Sequence, residues 1–242
     1  MTAQGPVAGD PGRALAVQQM FDRIAPTYDL ANRVLSMGVD TLWRRRAIAA
    51  LGEGARGQVL DLCAGTMDIT LAVLAGGARC VTALDFSAEM LACGRQRLPE
   101  GAPVTVVQGD AQDLKLDDAS FDAGLCGFGL RNVPDNRLAL AQLYRVLRPG
   151  GRFAVLEFFR PVRGDARAFH AVFNKLVLPT VGGLISGDRA AYAYLADSMQ
   201  TYLRRPEFED LAREVGFEIV SGQELLPPVA SLVVVQKPGA SA

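Results

Sequence analysis

The sequence predicts an α/β fold: a Rossmann-like, mostly parallel seven-stranded sheet flanked by helices, with an antiparallel strand from a C-terminal hairpin. Three observations predict it. Apolar strand-like runs alternate with helical stretches from Gln58 to Phe158. The first strand-to-helix turn, Val59-Leu-Asp-Leu-Cys-Ala-Gly-Thr-Met-Asp68, is built of small residues and follows an acid. The next strand, Val81-Thr-Ala-Leu-Asp85, ends on a second acid 24 residues after Asp61. In such folds the tight turn brings backbone close to a nucleoside, and the second-strand carboxylate accepts hydrogen bonds from ribose hydroxyls.

Residues 1–12 are rich in Gly, Pro and Ala, lack the charged-then-apolar plan of a signal peptide, and read as a disordered tail. Residues 13–242 read as one domain. Its N-terminal segment, 13–51, is helical, with Val17, Met20, Phe21 and Ile24 on one face and breaks expected at Pro26 and at Met37-Gly38. Strands follow at Gln58–Leu62, Cys80–Asp85, Val104–Gly109, Phe121–Gly127 and Arg152–Phe158, with helices starting near Thr66, Ser87 and Asp135. Arg148-Pro-Gly-Gly151 marks a turn before the fifth strand. Residues 161–205 are aromatic-rich and too long for an ordinary connection, which makes them a lid or substrate-binding insertion. Pro206 opens a helix that stops at Gly216. Two strands, Phe217–Glu224 and Ala230–Gln236, close the chain as an antiparallel edge.

Composition narrows the chemistry. The net charge of −1 gives no electrostatic reason to expect nucleic acid, and the one dense basic run, Arg44-Arg45-Arg46, reads as a solvated helix face. The cysteines, Cys63, Cys80, Cys93 and Cys126, lack Cys-x-x-Cys spacing and suit small core positions in a reducing cytosol. A single histidine, His170, argues against a zinc site or a histidine-based triad, so no metal is expected. No apolar run is long enough to span a membrane, which predicts a cytoplasmic protein.

The acids then choose the nucleoside. A dinucleotide site needs three glycines against a pyrophosphate, but this loop has only Gly65, between Asp61 and Asp68. Carboxylates repel a diphosphate at close range and suit a cationic ligand. S-adenosylmethionine, with its ammonium and sulfonium, is such a ligand. Asp61 is placed for the ammonium, the Gly65-Thr66 backbone for the methionine carboxylate, and Asp85, with Phe86 beside it, for the ribose. Asp110 and Ala111, at the third strand's tip, are placed for the adenine.

These residues sit in a chain that closely resembles the quinone C-methyltransferases of menaquinone and ubiquinone biosynthesis, a class I methyltransferase family, from about Met20 to the end. The likeness rests on Phe21-Asp-Arg-Ile-Ala-Pro-Thr-Tyr-Asp29, Leu35-Ser-Met-Gly38, Leu42-Trp-Arg44, the Asp61-to-Asp68 loop, Phe128-Gly-Leu-Arg-Asn132, Arg145-Val-Leu-Arg-Pro-Gly-Gly151, Leu156-Glu-Phe158 and Tyr192-x-Tyr-Leu-x-x-Ser198. The resemblance implies methyl transfer from S-adenosylmethionine to a ring carbon of a prenylated hydroquinone, demethylmenaquinol first and the methoxy-benzoquinol of ubiquinone synthesis as the alternative. It implies that Arg131 stabilises a phenolate, with Asn132 beside it and Tyr28 from the N-terminal segment. An arginine is too strongly protonated to serve as a free base. Glu157 is a weaker candidate. The lid, with Phe169, Phe173, Leu176, Val177, Tyr192 and Tyr194, is expected to cover the ring and the start of the tail.

A lipid-dissolved acceptor implies transient contact with the membrane surface, and a homodimer stays open. Two other classes compete: a nicotinamide-dependent oxidoreductase, which lacks an obvious proton donor here, and a non-catalytic cofactor-binding partner in a quinone-synthesis assembly. Two positions depart from the family pattern. Gly127 stands where many relatives carry serine. Met67 replaces a glycine, which is expected to require helical backbone there and a side chain turned from the cofactor.

Overall fold

Alternating residues of each inner strand feed two cores, one on each face of a single sheet. The computed structural model describes residues 11–161 and 187–239. Its strands are β1 Gln58–Leu62, β2 Cys80–Asp85, β3 Val104–Gln108, β4 Phe121–Gly127, β5 Leu147–Glu157, β6 Glu218–Glu224 and β7 Ser231–Gln236. Its α-helices are α1 Pro11–Leu35, α2 Val39–Ala50, α3 Asp68–Ala75, α4 Ala88–Arg95, α5 Asn136–Val146, α6 Arg189–Thr201 and α7 Arg205–Val215. The sheet order is β3-β2-β1-β4-β5-β7-β6. Leu60 and Leu62 of β1 pack with Phe153, Val155 and Val233 under Leu140, Leu143 and Phe208 of α5 and α7. Val59 points the other way, with Ala154, Leu156 and Val234, and meets Trp43, Ala47 and Val73 of α2 and α3.

β1 to β5 pair in parallel, and β7 is antiparallel to both of its neighbours. The reversed strand therefore lies one place in from the edge, and β6 is the edge. Ser87 and Asp135 cap α4 and α5, accepting from Met90 N, and from Arg137 N and Leu138 N. Gly216, with φ 114°, ends α7.

Three expectations need correction. α1 runs unbroken through Pro26, although proline removes a helical hydrogen bond. Burial of Met20, Ile24 and Ala31 against Ala191 and Tyr192 of α6 holds the helix across that site, so packing overrides local preference. The break at Met37-Gly38 does occur. Met37 N bonds Val34 O at 3.1 Å and Gly38 N bonds Arg33 O at 3.0 Å, with both residues left-handed. The Arg148-Pro-Gly-Gly151 turn sits inside β5 rather than before it. Leu147 pairs with Phe121 and Arg152 with Ala123, so the four turn residues bulge from a continuous ladder. The third lies at Met67, which sits in the loop between β1 and α3 and is left-handed rather than helical.

Residues 1–10 of the expected tail, and most of the expected insertion, including Phe169, His170, Phe173, Leu176 and Val177, lie outside the described residues. Among the described residues no helix is long and apolar enough to cross a membrane.

Candidate active site

Parallel pairing brings the carboxyl ends of β1 to β4 to one edge, and a cleft opens where the strand order reverses between β1 and β4. Gly65, Asp85, Phe86, Asp110 and Ala111 line it, as the acids and the turn predict, together with Asn132. Asp85 also builds the loop it faces: Oδ2 accepts from Gly65 N and Oδ1 from Ser87 N, each at 2.8 Å. Burial pushes its carboxyl upward, against the pull of those backbone N–H groups. Asp110 is turned onto its own loop, accepting from Gln112 N at 2.8 Å and from Gln112 Nε2 at 3.1 Å.

Asp61 and Thr66 stand behind the cleft wall rather than on it. Thr66 Oγ1 donates to Asp29 Oδ1 at 2.5 Å. Asp61 is fully buried; Thr70 Oγ1 donates to Oδ2 at 2.6 Å, while Oδ1 has no hydrogen-bond partner. Burial, opposed by the Thr70 bonds, lifts its carboxyl to about 7. An unsatisfied buried carboxylate oxygen calls for a donor, and a bound ammonium is one. The residues therefore fit a cationic nucleoside: Asp61 for the ammonium, and Asp85, with lone pairs still available, for a diol. Asp68 does not share in this. It pairs with Arg97 at 2.5 Å and Arg44 at 3.1 Å, so its charge is met by the protein itself.

Met67 adopts φ 66°, left-handed rather than helical as expected. The strain is accepted because the side chain is fully buried against Ala83 and Leu91, turned from the cleft as its chemistry requires. A Cβ on Gly127 would lie 2.5 Å from Ile69 Cδ1, the tip of a side chain that would have to turn aside to admit a larger residue.

Beside the cleft lies an apolar cavity of about 420 Å3, and Phe21, Tyr28 and Phe128 wall both spaces. Met20, Ile24, Trp43, Phe158 and Tyr192 complete much of its apolar lining. Burial raises the Tyr28 hydroxyl, with an Asn32 hydrogen bond opposing it. Arg131 and Arg44 both line this cavity, and Arg44 is taken up by Asp40 and Asp68. Arg131 Nε donates to Ser198 Oγ at 2.9 Å, and its Nη1 donates to Glu157 Oε1 at 2.5 Å and Phe128 O at 3.4 Å. Its Cζ lies 5.6 Å from the Phe158 ring centroid. Nη2 makes no hydrogen bond to a described residue, which leaves one oriented donor on a group whose charge Glu157 neutralises. Asn132 faces the cleft instead, with Oδ1 accepting from Tyr194 Oη at 3.2 Å. Arg131 and Asn132, adjacent in sequence, thus serve adjoining spaces.

An ion-pair lattice that sequence reasoning missed ties the helical segment to the loop. Arg97 Nη1 bonds Asp29 Oδ2 and Thr66 O, each at 2.7 Å, while Nη2 takes Asp68; Arg44 links Asp68 to Asp40 on α2. Further along α1, Ser87 Oγ donates to Asp22 Oδ1 at 2.5 Å and Gln18 Nε2 to Phe86 O at 3.3 Å. Asp29 closes a motif already noted in the sequence. Arg97 carries no sequence signal, because its partners are distant in the chain.

Comparison with known proteins fits this geometry. The chain is 43% identical over 203 residues to a demethylmenaquinone methyltransferase of Thermus thermophilus, covering 83% of this chain and 92% of the relative. It is 40% identical over 215 residues to a ubiquinone/menaquinone biosynthesis C-methyltransferase of Syntrophotalea carbinolica, covering 88% and 90%. Among solved structures, the [4+2]-cyclase SpnF shares the fold with a TM-score of 0.69 at 18% identity, covering 97% of this chain and 98% of that one. A putative methyltransferase solved in complex with the Haloferax volcanii Trm112 activator shares it with a TM-score of 0.67, also at 18% identity, covering 90% and 97%. Residues 11–237 match the ubiE/COQ5 methyltransferase family, and the chain belongs to that family.

Proposed function

We propose that the protein binds S-adenosylmethionine in the acid-tipped cleft and uses it to C-methylate demethylmenaquinol, giving menaquinol. The observation that supports this reading best is the wall shared by a polar nucleoside cleft and an apolar cavity, with Arg131 on the apolar side. The names of the relatives point to the same acceptor.

Asp61, Gly65 and Asp85 hold the cofactor, with Phe86, Asp110 and Ala111 along the nucleoside. When bound, S-adenosylmethionine supplies an electrophilic methyl group on a sulfonium. The protein's share is to prepare a carbon nucleophile. The apolar wall excludes water from the ring, and Phe21, Tyr28 and Phe128 set the ring against the cleft. Arg131 Nη2 donates to a ring hydroxyl oxygen and favours the phenolate, whose ortho carbon is then nucleophilic; the hydroxyl proton, and the ring proton that the methyl group replaces, pass to solvent. Glu157 and Ser198 hold the guanidinium so that the donor is aimed before the acceptor arrives. Tyr28 and Asn132, at the junction, position the ring relative to the cleft.

Purified protein with S-adenosylmethionine and reduced demethylmenaquinone should yield menaquinone, and Asp85→Ala should remove the yield by weakening the cofactor. An active wild type indifferent to that change would overturn the cleft assignment. The Syntrophotalea relative, named for both pathways, supports the methoxy-benzoquinol of ubiquinone synthesis as a second acceptor. Quinone profiles of a strain lacking the protein separate the two.

A further inference from the structure

The mouth of the apolar cavity is more exposed and more apolar than its interior chemistry requires. Val34 and Met37 line the cavity and also face solvent, Met37 with 81% of its surface exposed. Leu226 is 78% exposed and precedes Pro227, another lining residue; Trp43 Nε1 donates to Leu226 O at 3.0 Å, fixing that loop to the α1–α2 hairpin. Leu30 and Leu42 are exposed on the same hairpin. The spacing of Leu30, Arg33, Val34 and Met37 sets them along one side of α1 and its cap. Arg45 and Arg46 follow Leu42 by three and four residues, so the three share one side of α2.

The charge here is one-sided. Between residues 30 and 46 the only acid is Asp40, which is buried and paired with Arg44. Arg33, Arg45 and Arg46 are exposed and form no ion pair with a described residue. A chain of net charge −1 therefore places three cations that form no ion pair with a described residue, together with five exposed apolar side chains, on the α1–α2 hairpin and the Leu226 loop fixed to it. Apolar side chains that enter an acyl boundary, ringed by arginines that meet phosphate, form an interfacial membrane anchor.

We propose that the tip of the α1–α2 hairpin, with Leu226, docks on an anionic lipid bilayer and turns the cavity mouth toward the membrane. The geometry stands by itself, while the purpose rests on the prenylated acceptor proposed above. A tail dissolved in the bilayer then needs no exit into water, because its ring enters the cavity past Met37 and Val34.

The test is co-sedimentation with vesicles of phosphatidylcholine, with and without phosphatidylglycerol, at rising salt. Methyl transfer to a short-tailed, water-soluble quinol is measured in parallel. The wild type should bind the anionic vesicles, bind the neutral ones weakly, and lose binding as salt rises. R33Q/R45Q/R46Q should weaken binding by on the order of 100-fold, at roughly fivefold per arginine, and Leu226→Ser should weaken it further. Both variants should keep the wild-type melting transition and the turnover of the soluble quinol. Equal binding to neutral vesicles, or unchanged binding by the triple variant, overturns the proposal. So does a wild-type dimer that the triple variant dissociates in sedimentation velocity, which would assign the surface to a second copy of the chain. Vesicle binding that follows the arginines, without turnover of the soluble quinol, upholds the docking surface and overturns the acceptor reading instead.

Discussion

Glu157 and Arg131 form a buried ion pair, Oε1 to Nη1 at 2.5 Å, at the end of β5 beneath the apolar cavity. Removing the carboxylate's charge strands a buried cation, while the amide of glutamine still accepts one hydrogen bond. Glu157→Gln should therefore lower stability by less than the roughly 3–5 kcal/mol of a fully broken buried pair. It should lower kcat about 10-fold or more while leaving the cofactor's Kd unchanged. Arg131→Lys keeps the charge but loses the planar fork that reaches Ser198, Glu157 and the cavity at once, so a kcat loss of about 100-fold is expected. Urea denaturation and steady-state kinetics check both. A normal kcat in Glu157→Gln with only a lower midpoint would reduce the pair to a structural role.

Strand positions were legible because each is an apolar run ended by a chemically distinct residue: Asp85 closes β2, Gly109 follows β3 and Gly127 closes β4. The cleft was legible for the same reason, since Gly65, Asp85, Asp110 and Ala111 sit at those ends. What sequence could not reveal depends on distant partners. Pro26 looks like a break until α6 packs against the helix around it. Asp68 looks free to bind a cation until Arg97 arrives from the turn after α4 and Arg44 from α2. Glu157 gains importance only when β5 lies beside the turn that carries Arg131.

Asp61 should make both folding and cofactor binding depend on pH. Its folded pKa, about 7, lies above the ordinary value of 3.8. Between those values the folded chain holds a proton that the unfolded chain has lost. In the absence of cofactor, this group's contribution to stability therefore falls as pH rises from about 4 to about 7 and levels off above. Cofactor affinity should move the opposite way, because an ammonium favours the ionised carboxylate. It should rise toward about pH 7 and weaken by up to about tenfold per unit below it. Calorimetric titration across this range, with Asp61→Asn as control, checks the sign. Parallel slopes in wild type and variant would remove Asp61 from the cofactor site.

Arg97 should affect cofactor and acceptor differently. It holds Thr66 O, Asp29 and Asp68 together, and all of these contacts lie on the cofactor side. Arg97→Ala should raise the cofactor's Kd several-fold by loosening the loop, with little change in the acceptor's KM and a loss of about 1 kcal/mol in stability, as partly exposed pairs contribute little. Equal effects on both substrates would mean that the lattice organises the cavity as well as the loop.

Met67 and Gly94 should behave as a coupled pair. A Cβ on Gly94 would lie 2.6 Å from Met67 Cγ and 2.9 Å from its Sδ, so methionine in the loop requires a side chain of no size in α4. Gly94→Ala alone should destabilise by about 1–3 kcal/mol through overpacking, despite alanine's better helix propensity. Met67→Gly relieves a left-handed backbone worth roughly 1 kcal/mol but vacates a fully buried site worth roughly 2–5, for a net loss. In the double variant the alanine methyl enters the vacated space and the helix gains propensity, so M67G/G94A should be more stable than either single variant. The coupling should exceed about 1 kcal/mol in a urea double-mutant cycle. Because the methionine side chain faces away from the cleft, cofactor affinity should change little in all three variants, and a large change in Met67→Gly would mean that the loop backbone itself had moved.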